Sequence, residues 1–272
     1  MTFRLPSLLI LLALLCALTA ARAATLELET PQGPRQLDGA ALARQPQARE
    51  IEVPRDVSYF RSMRYRAVPL AGLLSTLGLT PQDTLEVVAT DGFVAQLPGA
   101  LVLQHGAHQA QPWLAIEDGG APWPPLPGKP HGAGPFYIVW LGGKVSSEQW
   151  PYAVAKLAVR ASPERRWPQL AVAKSLPANA PARRGQAVFI QQCMACHQIN
   201  GAGGATVGPD LNQPMNPTQY LQPQALRQLI RNTASVRRWP AQAMPAFPPE
   251  HLSDAELSDL IAYLAHMAKR PR

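Results

Sequence analysis

The sequence predicts two domains, an α+β N-terminal domain followed by an all-α C-terminal domain. Three observations lead there. Up to about residue 160, short β-like segments alternate with short Ala/Leu-rich helical patches. From Ser162 to Ala182 the chain turns Pro- and Ala-rich and loses any sustained apolar period. Beyond that break the apolar residues recur at helical spacing.

Composition sets the outer limits. In 272 residues, 47% hydrophobic content against 16% charged is enough apolar material for packed domains and excludes a disordered chain. Proline is frequent, at 29 residues, which predicts many loops and few long helices. Three cysteines are too few for a disulfide scaffold, so their positions carry the meaning.

The first, Cys16, falls in a segment with the marks of a secretory signal over residues 1–23. Arg4 precedes an apolar run from Leu8 to Leu18, and Ala21-Arg22-Ala23 offers small residues at the two positions a signal peptidase reads. Leu15 stands where a lipoprotein signal needs a small residue. The expectation is an exported, periplasmic protein whose mature chain has no transmembrane segment and keeps two cysteines, Cys193 and Cys196.

The N-terminal domain is expected over 24–165. Its strands are predicted at Leu26–Glu29, Glu50–Val53, Leu85–Ala89, Phe93–Leu97, Leu114–Glu117 and Tyr137–Leu141. Helical patches fall at Gly39–Arg44 and at Leu70–Leu77, the latter after Pro69, a residue suited to a helix start. Six prolines and five glycines between Gly119 and Pro135 predict a long structured loop. A linker is expected over 166–181 and the C-terminal domain over 182–272. That domain has helices at Ala182–Gln192, at Gln224–Arg231 after Pro223, and after Ser253, whose S-x-x-E pattern with Glu256 is a capping box ahead of Leu257, Leu260, Ile261 and Leu264.

Charge is uneven. Residues 24–180 carry 14 basic against 13 acidic side chains, whereas residues 181–272 carry nine against five. The excess favours acidic protein partners or an anionic surface, and the absence of any basic run longer than two residues argues against nucleic acid.

Both remaining cysteines belong to Cys193-Met194-Ala195-Cys196-His197. C-x-x-C-H is the attachment pattern of c-type haem: the two thiols add to the porphyrin vinyl groups and the adjacent histidine ligates the iron. A dithiol redox pair would want a βαβ context and no particular histidine, and a zinc site would need a second Cys/His pair at short spacing, which the sequence lacks. The expected cofactor is one covalent haem c, with Cys193 and Cys196 as anchors and His197 as one axial ligand. Methionine is the sixth ligand that marks an electron carrier. Met194 is inside the attachment turn, and Met267 sits at core spacing on the last helix. Met244 has prolines on both sides in a loop 47 residues beyond His197 and is the first candidate, with Met215 the alternative.

These motifs give residues 181–272 a resemblance to class I cytochrome c: Gly185 and Phe189 before the C-x-x-C-H, then Gly208-Pro209-Asp210-Leu211, then Met244-Pro245, then a closing helix with Tyr263. The resemblance implies that the Pro209 carbonyl accepts the Nδ1 proton of His197 and that Gly185 and Phe189 meet the last helix near Tyr263. Trp239, or Arg237 with Arg238, would contact the haem propionates. The N-terminal domain resembles the molybdopterin-binding domain of sulfite-oxidase-like proteins through Asp91-Gly92-Phe93, Trp113-Leu114-Ala115, the loop through Pro122 and Pro127, and Gly134-Pro135 leading into Tyr137–Leu141. Those enzymes hold molybdenum through a cysteine, and no cysteine lies between Cys16 and Cys193. Bound molybdopterin is therefore not expected, and Asp91 reads as a turn residue. His105, His108 and His131 read as exposed loop histidines, and Glu117-Asp118 as turn polarity.

The function expected is that of a monohaem electron carrier between periplasmic redox proteins, a dehydrogenase or an oxidase, with the N-terminal domain as docking or scaffold module. The alternative is an oxidoreductase whose N-terminal domain binds a pterin or small substrate and passes electrons to the haem.

Overall fold

The computed structural model describes residues 24–270 except 107, 144, 206, 240, 241 and 243. The segment read as a signal, with Cys16, lies outside the described residues. The N-terminal domain runs β1 (Thr25–Thr30), β2 (Gly33–Asp38), α1 (Gly39–Ala43), β3 (Arg49–Val53), β4 (Met63–Pro69), α2 (Leu70–Leu74), β5 (Asp83–Ala89), β6 (Val94–Pro98), α3 (Gly99–Val102), β7 (Gln111–Ile116), β8 (Phe136–Leu141) and β9 (Val154–Ala161). The six strands read from the sequence are present within a few residues, and β2, β4 and β9 are additional.

One sheet has the order β2-β1-β9-β5-β6, with β1 and β9 parallel, and the other β3-β4-β7-β8. Their apolar residues form one core: Leu26, Leu85, Leu97 and Leu157 from the first sheet meet Tyr65, Leu114, Phe136 and Ile138 from the second. Strand β8 is buried from Phe136 to Trp140, which explains its unbroken apolar run. Strand β9 is central although Lys156 and Arg160 interrupt its pattern. Arg160 grips both carboxylate oxygens of Glu29 on β1 at 2.7 Å and reaches Glu86 on β5 at 3.2 Å. The hydrogen bonds from Arg160 are the main reason the Glu29 carboxyl is held down to about 2.

The chain then enters α4 (Pro163–Arg166), α5 (Pro181–Val188), α6 (Pro217–Tyr220), α7 (Pro223–Arg231), α8 (Thr233–Val236) and α9 (Asp254–Met267). The expectation of an all-α C-terminal domain is corrected here, and the segment read as a linker, 166–181, packs as a strap on the C-terminal core. Leu170 and Val172 are buried in that core, the Tyr263 hydroxyl donates to the Leu170 carbonyl at 2.9 Å, and the Ala173 N–H donates to His266 Nε2 at 3.0 Å. Its first residue also holds the other domain, since Arg166 meets Glu86 at 2.6 Å. The prolines suggested a spacer, but they punctuate a segment whose few apolar side chains all have a place to go.

The C-terminal domain is also helical only in part. No residue described between His197 and Asn216 is helical, because Gly201, Gly203, Gly204, Gly208, Pro209 and Pro214 do not sustain a helix. The domain is organised by α5 against α9. At Gly185 an added Cβ would lie 1.9 Å from the Asp259 carbonyl oxygen and 2.7 Å from Tyr263 Cβ, so only glycine permits this approach. One turn on, the Phe189 and Tyr263 rings pack with centroids 5.5 Å apart. Helix α9 starts at the expected capping box, in which Ser253 Oγ accepts from the Glu256 N–H and Glu256 accepts from the Ser253 N–H.

Gly185→Ala is expected to force α5 and α9 apart and to destabilise the C-terminal domain by about 3 kcal/mol. Denaturant unfolding followed in that domain checks this, and an unchanged midpoint would show that the crossing is not this tight.

Candidate haem-attachment site

The attachment residues follow a single π-helical turn, Phe189–Cys193, which ends α5 with the Met194 N–H donating to the Phe189 carbonyl at 2.9 Å. The chain then tightens. The Cys196 and His197 N–H groups both donate to the Cys193 carbonyl, at 3.1 and 2.8 Å, so the two cysteines and the histidine are wrapped round one carbonyl oxygen. The two cysteines form no disulfide with each other. Burial pushes the Cys193 thiol up to about 12 and that of Cys196 up to about 11, with the charge of Glu148 the next contributor to each.

His197 is oriented on two sides. Its Nδ1 lies 2.8 Å from the Pro209 carbonyl oxygen, and a carbonyl can only accept, so Nδ1 carries the proton and the Nε2 lone pair is free for a metal. A Cβ on Gly208 would lie 2.4 Å from His197 Cε1 and 2.6 Å from Nδ1, so the backbone of Gly208 occupies the place where a side chain would displace the ring. Burial lowers the His197 pKa, and the Pro209 bond partly offsets this.

Asp210 fixes the strand of loop that delivers Pro209. Its carboxylate accepts from the N–H groups of Gly201 at 2.7 Å, Asn200 at 3.1 Å and Asn212 at 2.7 Å. The Gly208 N–H donates to the Cys196 carbonyl and the Leu211 N–H to that of Gln198, each at 2.8 Å, which ties the two loop segments side by side. Asp210 was visible only as part of a motif, and its role depends on three backbone groups that no sequence period reveals.

The two methionines differ. Met215 is half exposed at 52%, whereas Met244 is packed against the helical core. The loop carrying Met244 is stapled by Arg231 at the end of α7, which donates to the carbonyls of Phe247, at 2.8 Å, and Leu252, and pairs with Asp254 at 2.6 Å. Arg231 was not among the residues singled out from the sequence. Arg237 lies with its guanidinium 5.6 Å from the Trp239 ring centre, and both are exposed.

The remaining candidates lie in the N-terminal domain. Asp91, Glu117, Trp123, His131 and Tyr152 line one cavity of about 380 Å³. Glu117 accepts from the Trp123 N–H at 2.8 Å and Asp91 from the Phe93 N–H at 3.0 Å, so both carboxylates hold turns. His105 and His108 are exposed, and among the described residues no three His, Cys, Asp or Glu side chains come together as a metal site. No helix among the described residues is long and apolar enough to cross a membrane.

Comparison with known families agrees with this geometry. Residues 182–268 match the cytochrome c family, so this part of the chain is a cytochrome c domain and its cofactor is covalently bound haem c. No curated protein matches the chain. The residues present fit the group: two thiols and an imidazole at attachment spacing, with the imidazole already holding its proton on the nitrogen away from the metal.

Gly208→Ala should push the His197 ring off its carbonyl, lowering stability by about 1–3 kcal/mol and weakening the low-spin absorption spectrum of the holoprotein. A variant with the parental spectrum and unfolding midpoint would show that the ring is not held by this contact.

Proposed function

We propose that the protein is an exported, periplasmic monohaem carrier of single electrons, with His197 and Met244 as axial ligands and an N-terminal domain that docks or supports redox partners. The observation that carries this reading is the His197 Nδ1 to Pro209 bond beside the two attachment cysteines. It would hold the imidazole in place as a ligand of attached haem iron, with Met244 the residue that would complete the site. Bound there, haem c supplies one-electron exchange at iron. The chain's part is to hold that site unchanged through both oxidation states: Gly208 and Pro209 fix the ring, Asp210 fixes Pro209, and Arg231 fixes the segment that presents Met244.

Met244 is favoured over Met215 because its loop is anchored and its side chain already lies against the core. Arg237, Arg238 and Trp239 are an exposed basic and aromatic group suited to haem propionates or to an acidic partner, in line with the charge excess of this domain. For the N-terminal domain, a mixed sheet and helix fold, the likeness to a sulfite-oxidase-like scaffold rests on sequence motifs alone, and the missing metal-ligating cysteine is what favours docking over catalysis. The second reading, a pterin or small-substrate site in that domain, draws on the cavity between Asp91 and Trp123. Stoichiometric molybdenum in the purified protein would favour it.

Met244→Ala is expected to abolish the weak absorption near the red end of the visible spectrum that reports an iron–thioether bond, and Met215→Ala to leave it intact. The reverse pattern would move the ligand to Met215.

A further inference from the structure

The N-terminal domain reaches the haem-attachment residues with one rigid turn. Ser147–Gln149 form a single 3₁₀ turn after β8, closed by the Gln149 N–H to the Ser146 carbonyl at 3.0 Å and the Trp150 N–H to the Ser147 carbonyl at 3.1 Å. Its position is fixed from within the domain, because the buried Trp140 indole donates to the Gln149 carbonyl at 2.7 Å. Its outer side is pinned to the other domain on either side of Glu148. Ser146 Oγ donates to Gln192 Oε1 at 2.7 Å, and Gln191 Nε2 donates to Gln149 Oε1 at 3.1 Å. Gln191 and Gln192 immediately precede Cys193, so the two bonds seat Glu148 against the attachment turn.

Glu148 has no ion-pair partner among the described residues, and its side-chain hydrogen bond from Ser147 Oγ is long at 3.5 Å. A surface carboxylate would be screened by water or paired with a cation. This one is half-buried, in a turn packed against Phe189–Cys193. Burial also pushes the Glu148 carboxyl itself up to about 7.

An unpaired negative charge in a region of low dielectric interacts strongly with any charge nearby. Oxidised haem iron carries one more positive charge than reduced iron, so a carboxylate at the attachment edge stabilises the oxidised state more. We propose that Glu148 lowers the reduction potential of the covalent haem, which makes the N-terminal domain an electrostatic setting for the cytochrome as well as its neighbour. The proposal rests on the haem-carrier reading.

The test is a spectroelectrochemical titration of full-length holoprotein at mildly alkaline pH, after the mass of each variant has confirmed attached haem. Glu148→Gln is expected to raise the ferrous-to-ferric ratio at a given applied potential about tenfold, or ~59 mV for one electron. Glu148→Asp, which keeps the charge, should remain closer to the parent. Should Glu148→Gln fail to retain haem, the Ser146→Ala, Gln191→Ala double variant, which releases the turn, should also raise the ratio. An unchanged or lower ratio in Glu148→Gln, or in the double variant where that one is measured, overturns the proposal, as do equal shifts in Glu148→Gln and Glu148→Asp, which would mark a packing effect. A parent chain without covalent haem would instead overturn the carrier reading on which it rests.

Discussion

The C-terminal domain is arranged around one hydrogen bond, from His197 Nδ1 to the Pro209 carbonyl. For an imidazole to serve as a fixed metal ligand, one nitrogen must keep its proton and be held by an acceptor that cannot compete for the metal. A backbone carbonyl does this, but only where the chain returns to the ring in an extended, non-helical path. The Gly- and Pro-rich stretch after His197 provides that return. Gly208 allows the backbone to touch the ring, Pro209 offers its carbonyl, and Asp210 gathers three N–H groups that would otherwise be left unpaired by the irregular path. The loss of helix here is thus a requirement of the site.

The same economy shapes the rest of the domain. Its helices are few, and α5 and α9 can pack closely only through Gly185. The strap 166–181 adds Leu170 and Val172 to a core that would otherwise be thin, and Tyr263 links the strap to the α5–α9 contact by ring packing on one side and a hydroxyl bond on the other. Because the strap also holds Glu86 through Arg166, the two domains share a connection with no slack at its start. The pinned turn 147–149 is a second point of contact, and it sets Glu148 of one domain beside the attachment turn of the other.

Much of this was legible in the sequence where a residue type has few alternatives. C-x-x-C-H has one common structural meaning, the Ser253–Glu256 capping box marked the start of α9, and runs such as that of β8 announced buried strands. The Gly185–Tyr263 contact and the Pro209 acceptor followed from a resemblance rather than from any period. What stayed hidden depends on partners far away in the chain. Strand β9 contains Lys156 and Arg160, whose charges look unsuited to a central strand until Glu29 and Glu86 are placed opposite. Strand β2 is a polar edge with no apolar face to read. Strand β4 alternates apolar residues with Arg64 and Arg66, a pattern quieter than a continuous apolar run. The strap looked like a spacer because its prolines are local and its core contacts are not. Arg231 and Glu148 are ordinary charged residues until the fold sets them against a loop and a buried turn.

The central claim is that Cys193 and Cys196 hold one haem covalently on a site whose histidine is already oriented. The most direct measurement is the intact mass of the full-length protein, made in a host that attaches c-type haem, after denaturation and acid extraction. The account predicts a chain heavier by one haem, with the added mass confined to the peptide containing residues 193–197. A chain of unmodified mass, with both thiols open to alkylation after unfolding, would contradict it.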